Sequence, residues 1–283
     1  MPKLLEFHPG PQPLIHQVFE AWAKEFPNKI AVQWGERSIS YRELNRRANY
    51  LAQYLLKKRG LAVEGKVALI LESSINFIVS IYAVLKAGGC VVVLDTPNSS
   101  EAKERFDYCL KLAESDLIIT TSDQTSDLEL EDNKLVYLDS LSSKASDKYD
   151  TNPILEQLGP KNLAYLTFTS GSTGSPKGIL IEHEGIYSKV AAHQQVMQLD
   201  YEKKESMAQF CLKYVDAMFM EVFCALSTGV QLQIIPESSK QNLGELQEYF
   251  KTRKITAAIF TPTVLGLLEP KKLSTSLRVI ISL

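Results

Sequence analysis

Residues 163 to 181 read Leu-Ala-Tyr-Leu-Thr-Phe-Thr-Ser-Gly-Ser-Thr-Gly-Ser-Pro-Lys-Gly-Ile-Leu-Ile. An apolar run, Leu163 to Thr169, precedes nine residues that include three glycines, three serines, a threonine and one lysine. A second apolar run, Ile179 to Ile181, follows directly. Two strand-like runs joined by a glycine-rich turn predict a β-hairpin.

The loop of this predicted hairpin has the composition of a polyphosphate-binding site. Glycines let the backbone approach a ligand closely and turn its N–H groups inward. Ser170, Ser172 and Thr173 add hydroxyl groups, and Lys177 adds one positive charge. From composition alone, a mobile surface hairpin rich in small residues is an equal alternative.

The loop is not a Walker A motif. That motif requires Gly, four residues and then Gly-Lys-Ser/Thr, and it opens a helix. Here Lys177 lies between Pro176 and Gly178, and the residues that follow have the pattern of a strand. If the loop binds phosphates, it does so in a different framework.

Composition favours an ordinary globular protein. The 283 residues are 45% hydrophobic and 23% charged, and the net charge of −2 gives no reason to expect nucleic acid or an anionic membrane as partner. Neither the cysteines nor the histidines have metal-ligand spacing, so we expect no metal site and four buried free thiols. Because no run has signal-peptide or membrane-span length, we expect a cytoplasmic protein.

Alternating patterns predict an α/β fold of βαβ-built, largely parallel sheets flanked by helices. Apolar strands at 67–71, 90–94 and 117–121 alternate with helices at 75–85 and 102–112. Strands that are apolar throughout are typical of parallel sheets covered on both faces. Ser40 and Glu43 form a predicted capping box at the start of a helix that stops at Gly60.

Composition shifts divide the chain into four predicted segments. These are an extended lead-in at 1–13, a first α/β subdomain at 14–138, a linker or surface excursion at 139–159, and the hairpin with the start of a second α/β subdomain at 160–283. In the last segment we expect helices at 184–196, 218–226, 244–252 and 264–268. We expect strands at 231–235, 257–260 and 277–282, the last of them interrupted by the end of the chain.

The ten residues from Thr169 to Gly178 resemble the phosphate-loop signature of the adenylate-forming superfamily. That family includes acyl-CoA synthetases, luciferases and the amino-acid adenylation domains of nonribosomal peptide synthetases. Residues 39–44 and 85–89 are similar to two of its structural elements. The resemblance implies ATP and Mg²⁺ as cofactors and Lys177 as a catalytic residue. The implied phosphate-binding set is Thr169, Ser170, Gly171, Ser172, Thr173, Gly174 and Lys177.

Residues 214–223 resemble the family element that opens the substrate-pocket helix. In the peptide-synthetase branch, the aspartate at the place of Asp216 pairs with the substrate's α-amino group, as a desolvated ammonium requires. The alternative is an aspartate that caps this helix. The same register places Ala217, Met220 and Ile259 along the side-chain pocket, with Leu283 a further candidate, although ordinary core packing explains each apolar residue equally well.

Three functions remain open. The first is activation of an amino acid as aminoacyl-AMP, with an apolar side chain and with loading onto phosphopantetheine of a carrier protein. The second is an acyl-CoA or aryl-acid ligase of the same superfamily, and the third is a catalytically silent interaction module. Because the family's Tyr-Gly-x-Thr-Glu and Thr-Gly-Asp elements and its C-terminal lysine do not occur, we expect about the first half of an incomplete adenylate-forming large domain, inactive by itself.

Overall fold

The computed structural model of the protein describes residues 12–125, 128–141, 148–170, 175–273 and 275–282. Its helices are α1 (Ile15–Glu25), α2 (Tyr41–Arg59), α3 (Ile75–Lys86), α4 (Ser100–Ala113), α5 (His183–Met197), α6 (Asp216–Leu226), α7 (Glu237–Gln241), α8 (Leu243–Arg253) and α9 (Pro262–Leu267). Its strands are β1 (Ile30–Trp34), β2 (Arg37–Ser40), β3 (Lys66–Leu69), β4 (Cys90–Val93), β5 (Leu117–Thr120), β6 (Leu135–Tyr137), β7 (Leu163–Ser170), β8 (Pro176–Glu182), β9 (Ser206–Gln209), β10 (Gln231–Ile234), β11 (Ala257–Phe260) and β12 (Val279–Ser282).

The described strands form two six-stranded sheets. The first sheet has the order β6-β5-β3-β4-β7-β8, and the second has the order β12-β11-β9-β10-β1-β2. Neighbouring strands are parallel except for the pairs β7–β8 and β1–β2, which are antiparallel. The predicted α/β class with largely parallel sheets is therefore confirmed.

Both faces of the first sheet are buried at its central strands. On β4, Val91 and Val93 join a central core shared with α2, α3 and α6. Cys90 and Val92 point to the opposite face and pack with residues of α4. Because successive side chains of a strand alternate between faces, burial on both sides explains why this strand is apolar at every position.

The second sheet is covered in the same way. Ala257 and Ile259 of β11 face the central core, whereas Ala258 and Phe260 pack with Phe250 of α8 on the other face. The central helices thus lie between the two sheets, with α4 and α8 outside them. The layers alternate helix, sheet, helix, sheet, helix, and the almost wholly apolar sequence of α3 reflects its place in the middle layer.

Local signals in the sequence are confirmed in several elements. The hairpin forms as β7 and β8, and α5 spans residues 183–197 against the predicted 184–196. The Ser40 side chain accepts from the Glu43 N–H at 3.2 Å, while the Glu43 carboxylate accepts from Arg47 Nε at 2.7 Å instead of bonding back to Ser40. Gly60 ends α2 in the left-handed region at φ 66°.

The sheets do not follow the predicted boundary at 139–159. Strands β1 and β2, assigned to the first subdomain, pair in the second sheet through β10, and the β7–β8 hairpin extends the first sheet. Hydrophobic periodicity reports local structure and not strand order, so it could not show this exchange. The prediction also missed β2, β6, β9 and α7, all of them five residues or shorter.

The described part of the predicted linker is packed against the helices of the middle layer. Asn152 Oδ1 accepts from Asn45 Nδ2 of α2 at 2.9 Å and from Lys86 Nζ of α3 at 3.2 Å. Tyr149 lies edge-on against Tyr50 with ring centroids 5.1 Å apart. Residues 148–152 therefore lie along the surface of α2 and α3.

Cysteine chemistry agrees with the sequence. All four cysteines are buried free thiols, and burial raises the pKa of Cys90 and of Cys224 to about 12.

Within the described ranges, none of the helices combines the length and the apolar run that a bilayer span requires.

Candidate functional site

The β7–β8 hairpin holds the two ends of the predicted phosphate-binding loop opposite each other. Thr169 of β7 pairs with Lys177 of β8, and Ser170 pairs with Pro176. Gly171, Ser172, Thr173 and Gly174 lie outside the described residues, as does the side chain of Ser170. We define the hairpin loop as residues 170–175, which β7 and β8 flank.

Lys177 is available to a ligand from solvent. Its side chain is exposed, as is Thr169 across the hairpin. None of the other residues that the structure describes forms a hydrogen bond or an ion pair with the Lys177 ammonium. An exposed ammonium facing a hydroxyl across the base of a glycine-rich loop fits an anionic ligand such as the phosphate chain of ATP.

Asp216 is the first residue of α6, and its carboxylate bonds to side chains of two other elements. The Tyr165 hydroxyl donates to Asp216 Oδ1, and Lys189 Nζ of α5 lies 2.6 Å from Asp216 Oδ2. Val215 is the residue that caps α6, and no side chain caps the helix. The structure therefore does not support the capping alternative. The negative charge of Asp216 at the start of α6 also interacts favourably with the helix dipole.

Tyr165 is rigidly placed. It exposes 2% of its surface, and its ring stacks on Phe219 of α6 with centroids 4.0 Å apart and an interplanar angle of 15°. Burial and the hydrogen bond to Asp216 raise the pKa of Tyr165 far above its ordinary value, so the phenol stays protonated and donates.

The segment between β9 and α6 is fixed from two sides. The Glu221 carboxylate of α6 accepts from the backbone N–H groups of Phe210 and Cys211 at 3.1 Å. Burial raises the pKa of Glu221 to about 8, and the same hydrogen bonds oppose that shift. Lys213 donates to the Leu71 carbonyl at 2.8 Å and pairs with Asp95 at 2.9 Å.

These tethers place Asp216 beside the carboxyl ends of the first sheet. Leu71 and Asp95 follow the carboxyl ends of β3 and β4, and both contact Lys213 three residues before Asp216. The carboxyl edge of a parallel sheet is where α/β proteins place their ligands. The start of α6 and the β7–β8 hairpin therefore share one edge of the molecule.

The three apolar residues predicted to line a substrate pocket differ in burial. Met220 and Ile259 belong to the central core, and Ala217 packs against its margin. Met220 follows Asp216 by one helical turn and so lies on the same side of α6. The Cys211 thiol contacts the Ile259 carbonyl at 3.9 Å, which joins β11 to the segment leading into α6. Leu283 lies outside the described residues.

Two members of this arrangement, Tyr165 and Lys189, were not predicted from the sequence. Tyr165 sits in a strand whose pattern explains it as core. Lys189 is one lysine in a helix and carries no motif, and its partner lies 27 residues away in sequence. Among the described residues, no group of three or more His, Cys, Asp or Glu could hold a metal ion.

Comparison with known proteins identifies the family. Residues 19–282 match the family described as AMP-binding enzyme, and the chain belongs to this family. It is 32% identical over 271 residues to tyrocidine synthase 1 of Brevibacillus parabrevis, covering 95% of this chain and 24% of that protein. It is 30% identical over 266 residues to gramicidin S synthase 1 of Brevibacillus brevis, covering 92% of this chain and 23% of that protein. The chain spans about a quarter of the length of these relatives.

Solved structures show the same fold. The nonribosomal peptide synthetase FmoA3 (S1046A) superposes with a TM-score of 0.79 at 23% identity, over 96% of this chain and 28% of that chain. VinN in complex with 3-methylaspartate superposes with a TM-score of 0.78 at 19% identity, over 95% of this chain and 70% of that chain. These similarities extend across both sheets.

Proposed function

We propose that this chain belongs to an ATP-dependent ligase that activates an amino acid as aminoacyl-AMP. An oxygen of the substrate carboxylate attacks the α-phosphorus of ATP, the bond from that phosphorus to the bridging oxygen breaks, and pyrophosphate leaves. A phosphopantetheine thiol on a carrier protein then takes the acyl group and releases AMP. Membership of the AMP-binding enzyme family and the similarity to peptide synthases support this reaction class.

One observation carries the proposal: the Tyr165 hydroxyl on β7 bonds to Asp216 at the start of α6. Thr169, where the predicted phosphate contacts begin, follows Tyr165 by four residues along the same strand, roughly 13 Å at strand spacing. A ligand held at both places has to extend over about that length. An amino acid joined to the phosphate chain of a nucleotide does so.

The proposed roles follow from charge and position. The hairpin residues from Thr169 to Gly174 and Lys177 would hold the phosphates of MgATP, where neutralising the developing charge favours departure of pyrophosphate. Asp216 would bind the α-ammonium group. Ala217, Met220 and Ile259 would limit the side chain to an apolar one.

Activation of an acid without an amino group, as in acyl-CoA or aryl-acid ligases, is the second candidate. One observation favours it: Asp216 is already paired with Lys189. A carboxylate that is already paired with a lysine gains less free energy from pairing with a substrate ammonium.

The experiment is amino-acid-dependent ATP–pyrophosphate exchange by the full-length protein, with a panel of apolar amino acids. We expect one or a few of them to stimulate exchange. The variant Asp216→Ala should lose about 30-fold in kcat/KM, near 2 kcal/mol, because the carboxylate is partly exposed and its loss costs less than that of a fully buried ion. The exposed Asp107 of α4, paired with Lys103 at 3.9 Å, supplies the control Asp107→Ala.

Two results would reject the proposal. Exchange stimulated by fatty or aryl acids and by none of the amino acids would transfer the assignment to the second candidate. Absence of exchange with every acid tested would reject the ligase.

A further inference from the structure

The two donors to Asp216 differ in mobility. Tyr165 is buried and stacked on Phe219, so its hydroxyl cannot leave Asp216 without repacking the core. The Lys189 and Asp216 side chains expose 43% and 40% of their surface. A lysine ammonium on a flexible four-carbon stem can exchange its partner for water at such a site. The carboxylate therefore has one fixed donor and one displaceable donor.

A substrate ammonium would compete with Lys189 for the exposed part of the Asp216 carboxylate. Asp216 Oδ1 accepts from Tyr165, and Oδ2 accepts from Lys189 at 2.6 Å. Two ammonium groups at one carboxylate repel each other, because each lies within a few ångströms of the other. Binding of an α-amino acid at Asp216 thus favours movement of Lys189 into solvent.

The exchange reduces how much an amino group contributes to binding. Before binding, Asp216 is paired with Lys189, and afterwards it is paired with the substrate, so the number of ion pairs is the same. An acid that lacks the amino group leaves the Lys189–Asp216 pair in place. The site therefore distinguishes these two kinds of acid less than an unpaired aspartate would.

We propose that Lys189 is a specificity-determining residue that occupies Asp216 in the free protein and so relaxes the requirement for an α-amino group. The substrate class is then apolar carboxylic acids, with amino acids and their analogues without the amino group both accepted. This inference rests on the function proposed above.

The test uses three matched pairs of acids in the exchange assay with the full-length protein. The pairs are L-leucine with 4-methylpentanoate, L-valine with 3-methylbutanoate, and L-phenylalanine with 3-phenylpropanoate. For the pair that supports exchange, Lys189→Met should lower the half-saturating concentration of the amino acid about fivefold, the size expected of a partly exposed ion pair. The concentration for the analogue should change by less than about twofold.

Two further variants serve as controls. Lys189→Arg keeps the ion pair and should behave like the unmodified protein. Lys203→Met removes a lysine that is also paired with an aspartate, Asp200 at 3.2 Å, and should leave both concentrations unchanged.

Several outcomes would overturn the inference. An amino-acid affinity that falls in Lys189→Met would mean that Lys189 orients Asp216 or binds the substrate carboxylate. Equal changes for both members of a pair would mean that Lys189 has no role in recognising the amino group.

A measurement of stability separates failure of the inference from failure of the proposed function. In a double-mutant cycle with Lys189→Met and Asp216→Asn, the two changes should be non-additive, as contacting residues are. Additive effects would show that the pair does not form and would overturn the inference alone. A coupled pair with no exchange from any acid would reject the proposed function and the inference with it.

Discussion

The Tyr165 hydroxyl on β7 donates to the Asp216 carboxylate at the start of α6. This bond joins the first sheet to a helix of the middle layer, at the edge where the β7–β8 hairpin carries its loop. The hairpin and the start of α6 are thereby fixed relative to each other by two residues that are 51 positions apart in sequence.

Tyr165→Phe should remove the hydrogen bond and keep the ring stacked on Phe219. We expect the free energy of unfolding to fall by about 1 kcal/mol, the usual contribution of one hydrogen bond, and the half-saturating concentration of the amino acid to rise. Urea unfolding measures the first effect and exchange kinetics the second. Tyr201→Phe, which removes an exposed hydroxyl bonded to Glu202, is the control. Equal stability of Tyr165→Phe and the unmodified protein would contradict the bond.

The buried histidines predict a loss of stability in mild acid. His16 and His183 lie with ring centroids 5.6 Å apart, and burial lowers the pKa of His183 to about 4 and that of His16 well below its ordinary value. In the unfolded chain both titrate near pH 6.5. Between these values the unfolded state binds more protons, so stability is fully present above pH 6.5 and is lost as the pH falls.

For His183 alone, the loss between pH 7 and pH 5 should be about 2 kcal/mol, which is 1.5 pH units at 1.36 kcal/mol each. His183→Leu should therefore flatten the dependence of the urea midpoint on pH over this range. His193→Leu, at a partly exposed histidine of the same helix, is the matched control. Parallel slopes for all three proteins would show that His183 is not the group responsible.

Gly229 is required by its conformation and by its neighbour. Its φ is +74°, and a Cβ there would lie 2.5 Å from Cε3 and Cζ3 of Trp22. The indole is held in place because its Nε1 donates to the Ser227 carbonyl at 2.7 Å. Gly229→Ala should cost about 2–5 kcal/mol of stability, the sum of backbone strain and overpacking.

Gly60→Ala separates these two causes. Gly60 has a similar φ of +66°, and a Cβ there would meet no atom within 4 Å. Gly60→Ala should therefore lose only the stability that backbone strain costs, about 1–2 kcal/mol. Chemical unfolding of both variants measures the difference. Equal losses of stability in the two variants would show that Trp22 moves aside at no cost in free energy.

Sequence reasoning predicted what is local in the fold. The hairpin, the helix cap at Ser40 and the two-sided burial of β4 each depend on residues close together in the chain. It did not predict that β1 pairs with β10, because Val32 and Leu232 meet across 200 residues and nothing in either strand specifies the partner. Strand β9, Ser-Met-Ala-Gln, has no apolar alternation and is buried because both its neighbours are.

At the site, the family resemblance supplied Asp216, and the structure supplied its partners. A lone lysine in an amphipathic helix has the appearance of a solvated residue, so the Lys189–Asp216 pair becomes visible only once α5 and α6 are packed together. The roles of the hairpin residues and of the apolar pocket residues stay predictions.

Lys177 tests the central claim, that the hairpin loop holds the phosphates of ATP. If it does, the Lys177 charge faces oxygens that become more negative as pyrophosphate leaves, and an interaction that strengthens toward the transition state lowers the barrier more than it tightens the ground state. Lys161, also exposed and located before β7, offers the matched control Lys161→Ala.

The most direct measurement is steady-state exchange by Lys177→Ala in the full-length protein, with ATP and the amino acid varied separately. We expect kcat to fall about a hundredfold, comparable to the loss of one oxyanion donor, with the KM of the amino acid nearly unchanged and Lys161→Ala unaffected. Rates for Lys177→Ala equal to those of the unmodified protein would contradict the account and leave the hairpin loop a structural turn.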